Sequence, residues 1–289
     1  MAPRSAAEER LEADARVLCR AIGERTLERG LAEAEHYVHG VLAETGLPVE
    51  RQAYAHGGAE VANLVAAAGP EGGAPLVVGA HYDTVAGTEG ADDNASAVCV
   101  LLELARRLAR EPPPIPVRLA AFTLEEAPAF GTARQGSRVF IERARRHGPR
   151  PRGALVLEMV GFTAAEQHYP APLRYAGYPA TGDFIGVVGN RHSRRLASAV
   201  AAGLARAPGL PVETLTVPFD GRILPATRLS DHSSFWDAGW PAVMITDTAF
   251  FRNPHYHRPS DRLETLDFGF MARLVEGLRG VVAAAAADG

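Results

Sequence analysis

The chain has 289 residues, 47% of them hydrophobic, and 30 lysines and arginines against 34 acidic residues give a formal net charge of −4. That is ample for one substantial core in one or two domains, while the charge balance lacks the concentrated basic surface that nucleic-acid binding calls for. No stretch approaches the roughly 20 apolar residues of a membrane span.

In chain order, the N-terminus carries no apolar run of the secretory kind. Leu11, Ala15, Leu18 and Ile22 recur at helical spacing, so residues 1–46 read as two amphipathic helices broken around Gly23–Arg29. Leu64–Ala67, Leu76–Gly79, Val117–Phe122 and Ala154–Leu157 are short apolar runs bounded by Gly, Pro or charged residues, the pattern of strands buried on both faces. Helices are predicted at Ala95–Leu108, Ser137–Arg146, Ser193–Ala205 and Phe268–Ala287. This alternation predicts an α/β fold, a three-layer α/β/α sandwich with a mixed, mostly parallel central sheet, in one domain spanning 1–289. Residues 161–183, rich in Pro, Tyr and Gly, read as an irregular excursion beside a binding site. Arginines gathered at Arg143–Arg152 and Arg191–Arg195 read as solvated surface. Two cysteines, Cys19 and Cys99, are no disulfide framework, and a cytoplasmic enzyme is the simplest expectation.

The polar residues that stand out fall where the apolar runs end, the edge at which open α/β sheets bind ligands. His81 and Asp83 follow the run Leu76–Ala80 and share a face if extended. They form either a carboxylate-supported metal ligand or a hydrogen-bonded pair without metal. In Gly90–Ser96, the residues Asp92, Asp93 and Asn94 precede a helix; one can cap it, and a carboxylate fixed at that turn can instead bridge two cations. Glu125 and Glu126 repel one another unless a cation is near. Adjacent residues point different ways, so one can bind metal while the other faces substrate, and the apolar Ala127–Gly131 is expected to enclose them. Glu158 is a lone acid in an apolar run, which calls for a metal or a buried arginine partner. His255 and His257 share a face if extended, and His232 begins a helix; each could equally be structural.

Taken in order, His81-Tyr82-Asp83, Ala91–Ser96, Glu125-Glu126, Leu157–Gly161, Ser230–Ala242 and Asn253–His257 resemble the M28 family of zinc aminopeptidases, related to glutaminyl cyclases, across Leu64–Leu266. The resemblance implies two zinc ions, His81 binding one and His257 the other, with Asp93 bridging and Glu126 and Glu158 each serving one ion. It implies Glu125 as general base, Asp83 as the partner of His81, and Tyr256 beside the substrate carbonyl. The peptide bond after Asp93 is cis in some members. The implied activity is hydrolysis of the N-terminal peptide bond of a peptide or aminoacyl substrate. Two departures stand out: the family more often has Asp where Glu158 stands, and the stretch from Glu126 to Gly136 is longer than usual. A longer stretch there is a feature of the single-zinc glutaminyl cyclases, so a cyclase is the first alternative, and an amidase acting on a non-peptide metabolite the second. Ala127–Gln135 and residues 161–183 are expected to line the substrate pocket, with Phe130, Phe162, Tyr169 and Phe251 as candidate walls.

Overall fold

The computed structural model describes residues 4–171 and 173–285. Its strands are β1 Val49–His56, β2 Ala59–Ala68, β3 Leu76–His81, β4 Val117–Phe122, β5 Gly153–Glu158, β6 Ile185–Asn190, β7 Val212–Val217 and β8 Ala242–Thr246. They form one mixed sheet in the order β1-β2-β4-β3-β5-β8-β6-β7. The four central strands, β4, β3, β5 and β8, run parallel. β1 and β2 add antiparallel pairs at one side, and β6 reverses direction against β8 before pairing in parallel with β7.

The helices are α1 Ala6–Arg16, α2 Leu31–Glu44, α3 Ala97–Arg110, α4 Gly136–His147, α5 Arg194–Leu204, α6 His232–Asp237 and α7 Phe268–Ala284. Alternation along the strands sorts the core into two layers. Leu76, Val78 and Ala80 of β3 face a cluster that includes side chains of α1, α2, α3, α5 and α7. Val77 faces the opposite cluster, where Phe140 of α4 and Phe235 and Trp236 of α6 pack against Phe122 and Val156. Gly79 allows the closest of these approaches: a Cβ there would lie 2.4 Å from Phe122 Cε2. The three-layer α/β/α architecture is thus as expected.

Four of the strands, β1, β6, β7 and β8, were not among the predicted ones. The last helix is described to Ala284, and the predicted continuation beyond residue 285 lies outside the described residues. No described helix is long and apolar enough to cross a membrane. Cys19 and Cys99 are buried and unpaired, and burial pushes the Cys19 thiol up to about 12.

One charged residue ties the N-terminal segment to the sheet's functional edge. Arg25 is completely buried. Its guanidinium donates to the carbonyls of Leu18 (3.2 Å), Gly23 (3.0 Å), Tyr82 (2.7 Å), Glu89 (2.7 Å) and Gly90 (2.9 Å). A buried cation is costly unless its donors are satisfied, and here backbone carbonyls satisfy them. Gly90 must lack a side chain at this contact. Its φ is +54°, and a Cβ would meet Thr84, the Asp93 carbonyl oxygen at 2.4 Å and Arg25.

Candidate metal centre

The residues singled out in the sequence converge at the carboxyl edge of the parallel strands. His81 ends β3, Glu158 ends β5, and Glu125 and Glu126 lie just past the end of β4. Asp93 sits in the turn Ala91–Ser96 before α3, with Asp93 and Asn94 at non-helical angles, and the Asp93–Asn94 peptide bond is cis, as the family resemblance implies. His257 comes from the loop after β8, at a φ of +56°.

Asp93 stands between the two histidines. Its Oδ1 lies 3.4 Å from His81 Nε2, and its Oδ2 lies 3.1 Å from His257 Nε2. Glu158 Oε2 approaches His81 Nε2 at 3.6 Å, and Glu126 Oε1 approaches His257 Nε2 at 3.5 Å. The longer side chain at Glu158 therefore reaches the cluster. Neither ring nitrogen of His81 and not Oε1 of Glu126 makes a hydrogen bond, although all are buried. Ligand atoms held 2.0–2.1 Å from a zinc ion at tetrahedral angles lie roughly 3.3–3.4 Å apart. The separations here match that edge length, so the donor set fits metal on two counts, spacing and unmet polar atoms.

Charge tells the same story. Burial pushes the Glu125 carboxyl well above its usual range, with Glu126 and Glu158 adding to it, and burial together with Asp93 brings Glu126 up to about 7. Burial alone would lower the His81 pKa, but Glu158, Glu125, Asp83 and Asp93 outweigh it and hold the imidazole well above its ordinary value. Against the same burial, Asp93 and Glu126 raise His257 to about 10. Carboxylates that resist ionisation beside imidazoles that resist deprotonation describe excess negative charge, which divalent cations neutralise.

The surroundings fix these groups. Asp83 Oδ1 lies 3.5 Å from His81 Nδ1. The same carboxylate accepts the backbone N–H groups of Glu125 (3.0 Å) and Glu126 (2.9 Å). Asp83 thus anchors the backbone of both glutamates and sets its charge beside His81. Asp261 accepts the N–H groups of Asp92 (2.9 Å) and Asp93 (3.1 Å). Asn94 donates to the Leu157 carbonyl and accepts from Met159 N–H, bracketing Glu158, whose Oε2 also accepts from Ser230 Oγ at 2.6 Å. Sequence reasoning missed the roles of Asp261, Asn94 and Ser230. Asp92 does not cap α3 but accepts from Gly161 N–H and Asn253 Nδ2.

Several expectations are corrected. Of the segment expected to enclose Glu125 and Glu126, Ala127, Pro128 and Gly131 are exposed and Phe130 is half-buried, and within Ala127–Gly131 only Ala129 is buried. His255 does not share the site with His257, because the chain turns there; its ring meets Phe162 edge-on at 5.9 Å and its Nδ1 pairs with Ser260. His232 begins α6 as expected, but its Nε2 pairs with the Thr227 carbonyl and burial lowers its pKa to about 4.

Beside the centre lies a largely apolar cavity of about 100 Å³, reached by Glu158 and Tyr256. Tyr256 stacks on His257 with ring centroids 3.7 Å apart. Tyr169 and Phe251 line the cavity as expected. Phe130, Phe162 and the stretch Ala127–Gln135 do not, and their place is taken by Phe250, Tyr178, Leu224, Ala226, Thr227 and Leu229.

The comparisons with known proteins agree with this geometry. The sequence model of peptidase family M28 matches residues 63–282. An Escherichia coli protein described as uncharacterized, YfbL, is 36% identical, covering 96% of this chain and 88% of its own length. A probable zinc metalloprotease of Pyrenophora tritici-repentis is 25% identical, covering 84% of this chain and 53% of its own. Among solved structures, LapB of Legionella pneumophila superposes with a TM-score of 0.75 at 20% identity, covering 97% of this chain and 72% of LapB. A Porphyromonas gingivalis glutaminyl cyclase superposes with a TM-score of 0.71 at 20% identity, covering 94% and 96%. The match spans every strand from β3 to β8 and all the converging residues, and the chain belongs to peptidase family M28.

Proposed function

We propose that the chain is a two-zinc aminopeptidase that removes the N-terminal residue of peptides. The observation that carries this reading is Asp93: its two oxygens face two different histidines, each with its own glutamate. His81, Asp93 and Glu158 would hold one ion, and His257, Asp93 and Glu126 the other. Zinc bound there would supply Lewis acidity, lowering the pKa of an attacking water and polarising the scissile carbonyl.

The chain's own groups do the rest. Glu125, whose Oε2 lies 3.9 Å from His81 Nε2, serves as general base. It takes the proton from the attacking water and passes it to the departing amine. Its neighbour Glu126 is turned to the other half of the site. Tyr256, stacked on His257 at the cavity mouth, is placed to contact the substrate carbonyl, and the cavity takes the side chain of the N-terminal residue. The buried, unpaired cysteines accord with a reducing compartment such as the cytoplasm.

Elemental analysis of purified protein tests this directly, with two zinc ions per chain expected. His257→Ala should reduce the count to about one, and an unchanged count would remove His257 from the ligand set. Aminoacyl arylamides should be cleaved and their N-acetylated counterparts left intact. A count of one in the parent protein, with pyroglutamate released from glutaminyl peptides, would instead establish the cyclase reaction.

A further inference from the structure

The register of the sheet places a second carboxylate in line with the metal centre. Glu158 of β5 pairs with Thr246 of β8, Thr246 with Gly186 of β6, and Gly186 with Glu213 of β7. These four residues form one row across the sheet, and paired residues share a face. Three strand spacings separate the ends of the row, roughly 14 Å at about 4.8 Å each. Glu158, Thr246, Gly186 and Glu213 all line the one cavity described above. Gly186 has no side chain to interrupt the floor between Thr246 and Glu213.

The Glu213 side chain makes no hydrogen bond or ion pair among the described residues, and no arginine lines the cavity there, although the chain has 30 arginines. Two aromatic rings stand beside it. Tyr169 and Tyr178 stack at 5.7 Å, line the cavity and are held in place, Tyr178 by a hydrogen bond from its hydroxyl to the Thr214 carbonyl on β7. Burial raises both hydroxyls, and the charge of Glu213 adds to the effect. Arg252, behind the cavity wall, is engaged by Gln167 and stacks over Phe184.

An apolar passage that ends in an unpaired carboxylate beside aromatic faces is complementary to an apolar stem with a cationic tip. An extended lysine or arginine side chain reaches roughly 6–7 Å from Cα, given bonds of about 1.5 Å. With a hydrogen bond of about 2.8 Å at the tip the reach is roughly 9–10 Å, and a substrate backbone held about 4–5 Å along the row from Glu158 completes the roughly 14 Å to Glu213. We infer that Glu213, with Tyr169 and Tyr178, selects substrates whose N-terminal residue carries a long side chain ending in a cation. This rests on the aminopeptidase reading and specifies its substrate class.

The test compares kcat/KM for the p-nitroanilides of lysine, arginine, norleucine and leucine in the zinc-loaded parent enzyme and in Glu213→Gln. Norleucine matches the lysine stem without the charge, and Glu213 is partly exposed on an edge strand, so the variant should fold. The parent should favour lysine or arginine over norleucine by roughly tenfold to a hundredfold. Glu213→Gln should abolish that ratio while leaving norleucine turnover within about twofold. Norleucine or leucine turned over as well as lysine by the parent, or a ratio unmoved by Glu213→Gln, would overturn the assignment and leave the aminopeptidase reading standing. Failure of the parent to cleave any of the four would overturn both.

Discussion

Glu125→Gln is expected to lower kcat by about 10²–10⁴ while two zinc ions stay bound. The argument is one of geometry. Glu125 Oε2 is 3.9 Å from His81 Nε2, farther than Asp93 or Glu158, and it stands opposite the side occupied by Glu126. Its backbone N–H is anchored by Asp83, so the amide variant keeps its place and loses only the ability to take a proton. Burial and the neighbouring Glu126 and Glu158 raise its pKa in the metal-free site. Paired measurements of zinc content and turnover check this. Near-normal kcat would remove Glu125 from the proton transfer, and loss of an ion would make it a ligand.

Asp93→Ala should have the larger effect on the metals, since it removes a donor from both half-sites at once. His81 and His257 would each keep a single glutamate, and the remaining carboxylates would lose the group that spans them. The loss of affinity should exceed the roughly 10–100-fold typical of removing a supporting residue beyond the ligands. Protein passed through gel filtration should then carry neither ion, and its peptidase activity should vanish with them. Retention of one ion per chain would show that one half-site stands without Asp93 and would end its assignment as a bridge. Asp261, which holds the Asp93 backbone and touches no metal donor, provides the comparison of a supporting residue.

What could be read in the sequence was governed by burial. β3, β4 and β5 are buried almost throughout because both faces of the sheet are covered, and apart from Arg118 and the terminal His81 and Glu158 they are apolar, so their runs stand out. β1 and β7 are edge strands that alternate exposed and buried residues, with Glu, Arg, Thr and Gln among them. Glycines interrupt β6, and β8 is only five residues long. β1, β6 and β7 present no continuous apolar run, whereas β8 carries Ala242–Ile245, a run as long as Ala154–Leu157 that the sequence reading passed over. The same holds for the site. His81, Glu126 and Glu158 stand out because an ionisable residue next to a buried strand needs a partner. Asp261, Asn94 and Ser230 act on backbone groups and side chains far away in sequence, and nothing in their own neighbourhoods announces it. His255 would share a face with His257 only on an extended segment, and the chain turns there instead, which carries its ring to Phe162.

Arg25 gives the N-terminal segment a part in the chemistry that its position in the chain conceals. Every residue proposed as a metal ligand lies beyond residue 80, and the family match begins at residue 63. Yet the carbonyls that Arg25 gathers include those of Tyr82, Glu89 and Gly90, which border His81 on one side and lead into Asp93 on the other. Trimming the protein to the matched span would delete no ligand, but it would release the strap on which two of them hang. The catalytic unit is therefore longer than its signature, and its first helices belong to the enzyme as much as the strands that carry the histidine.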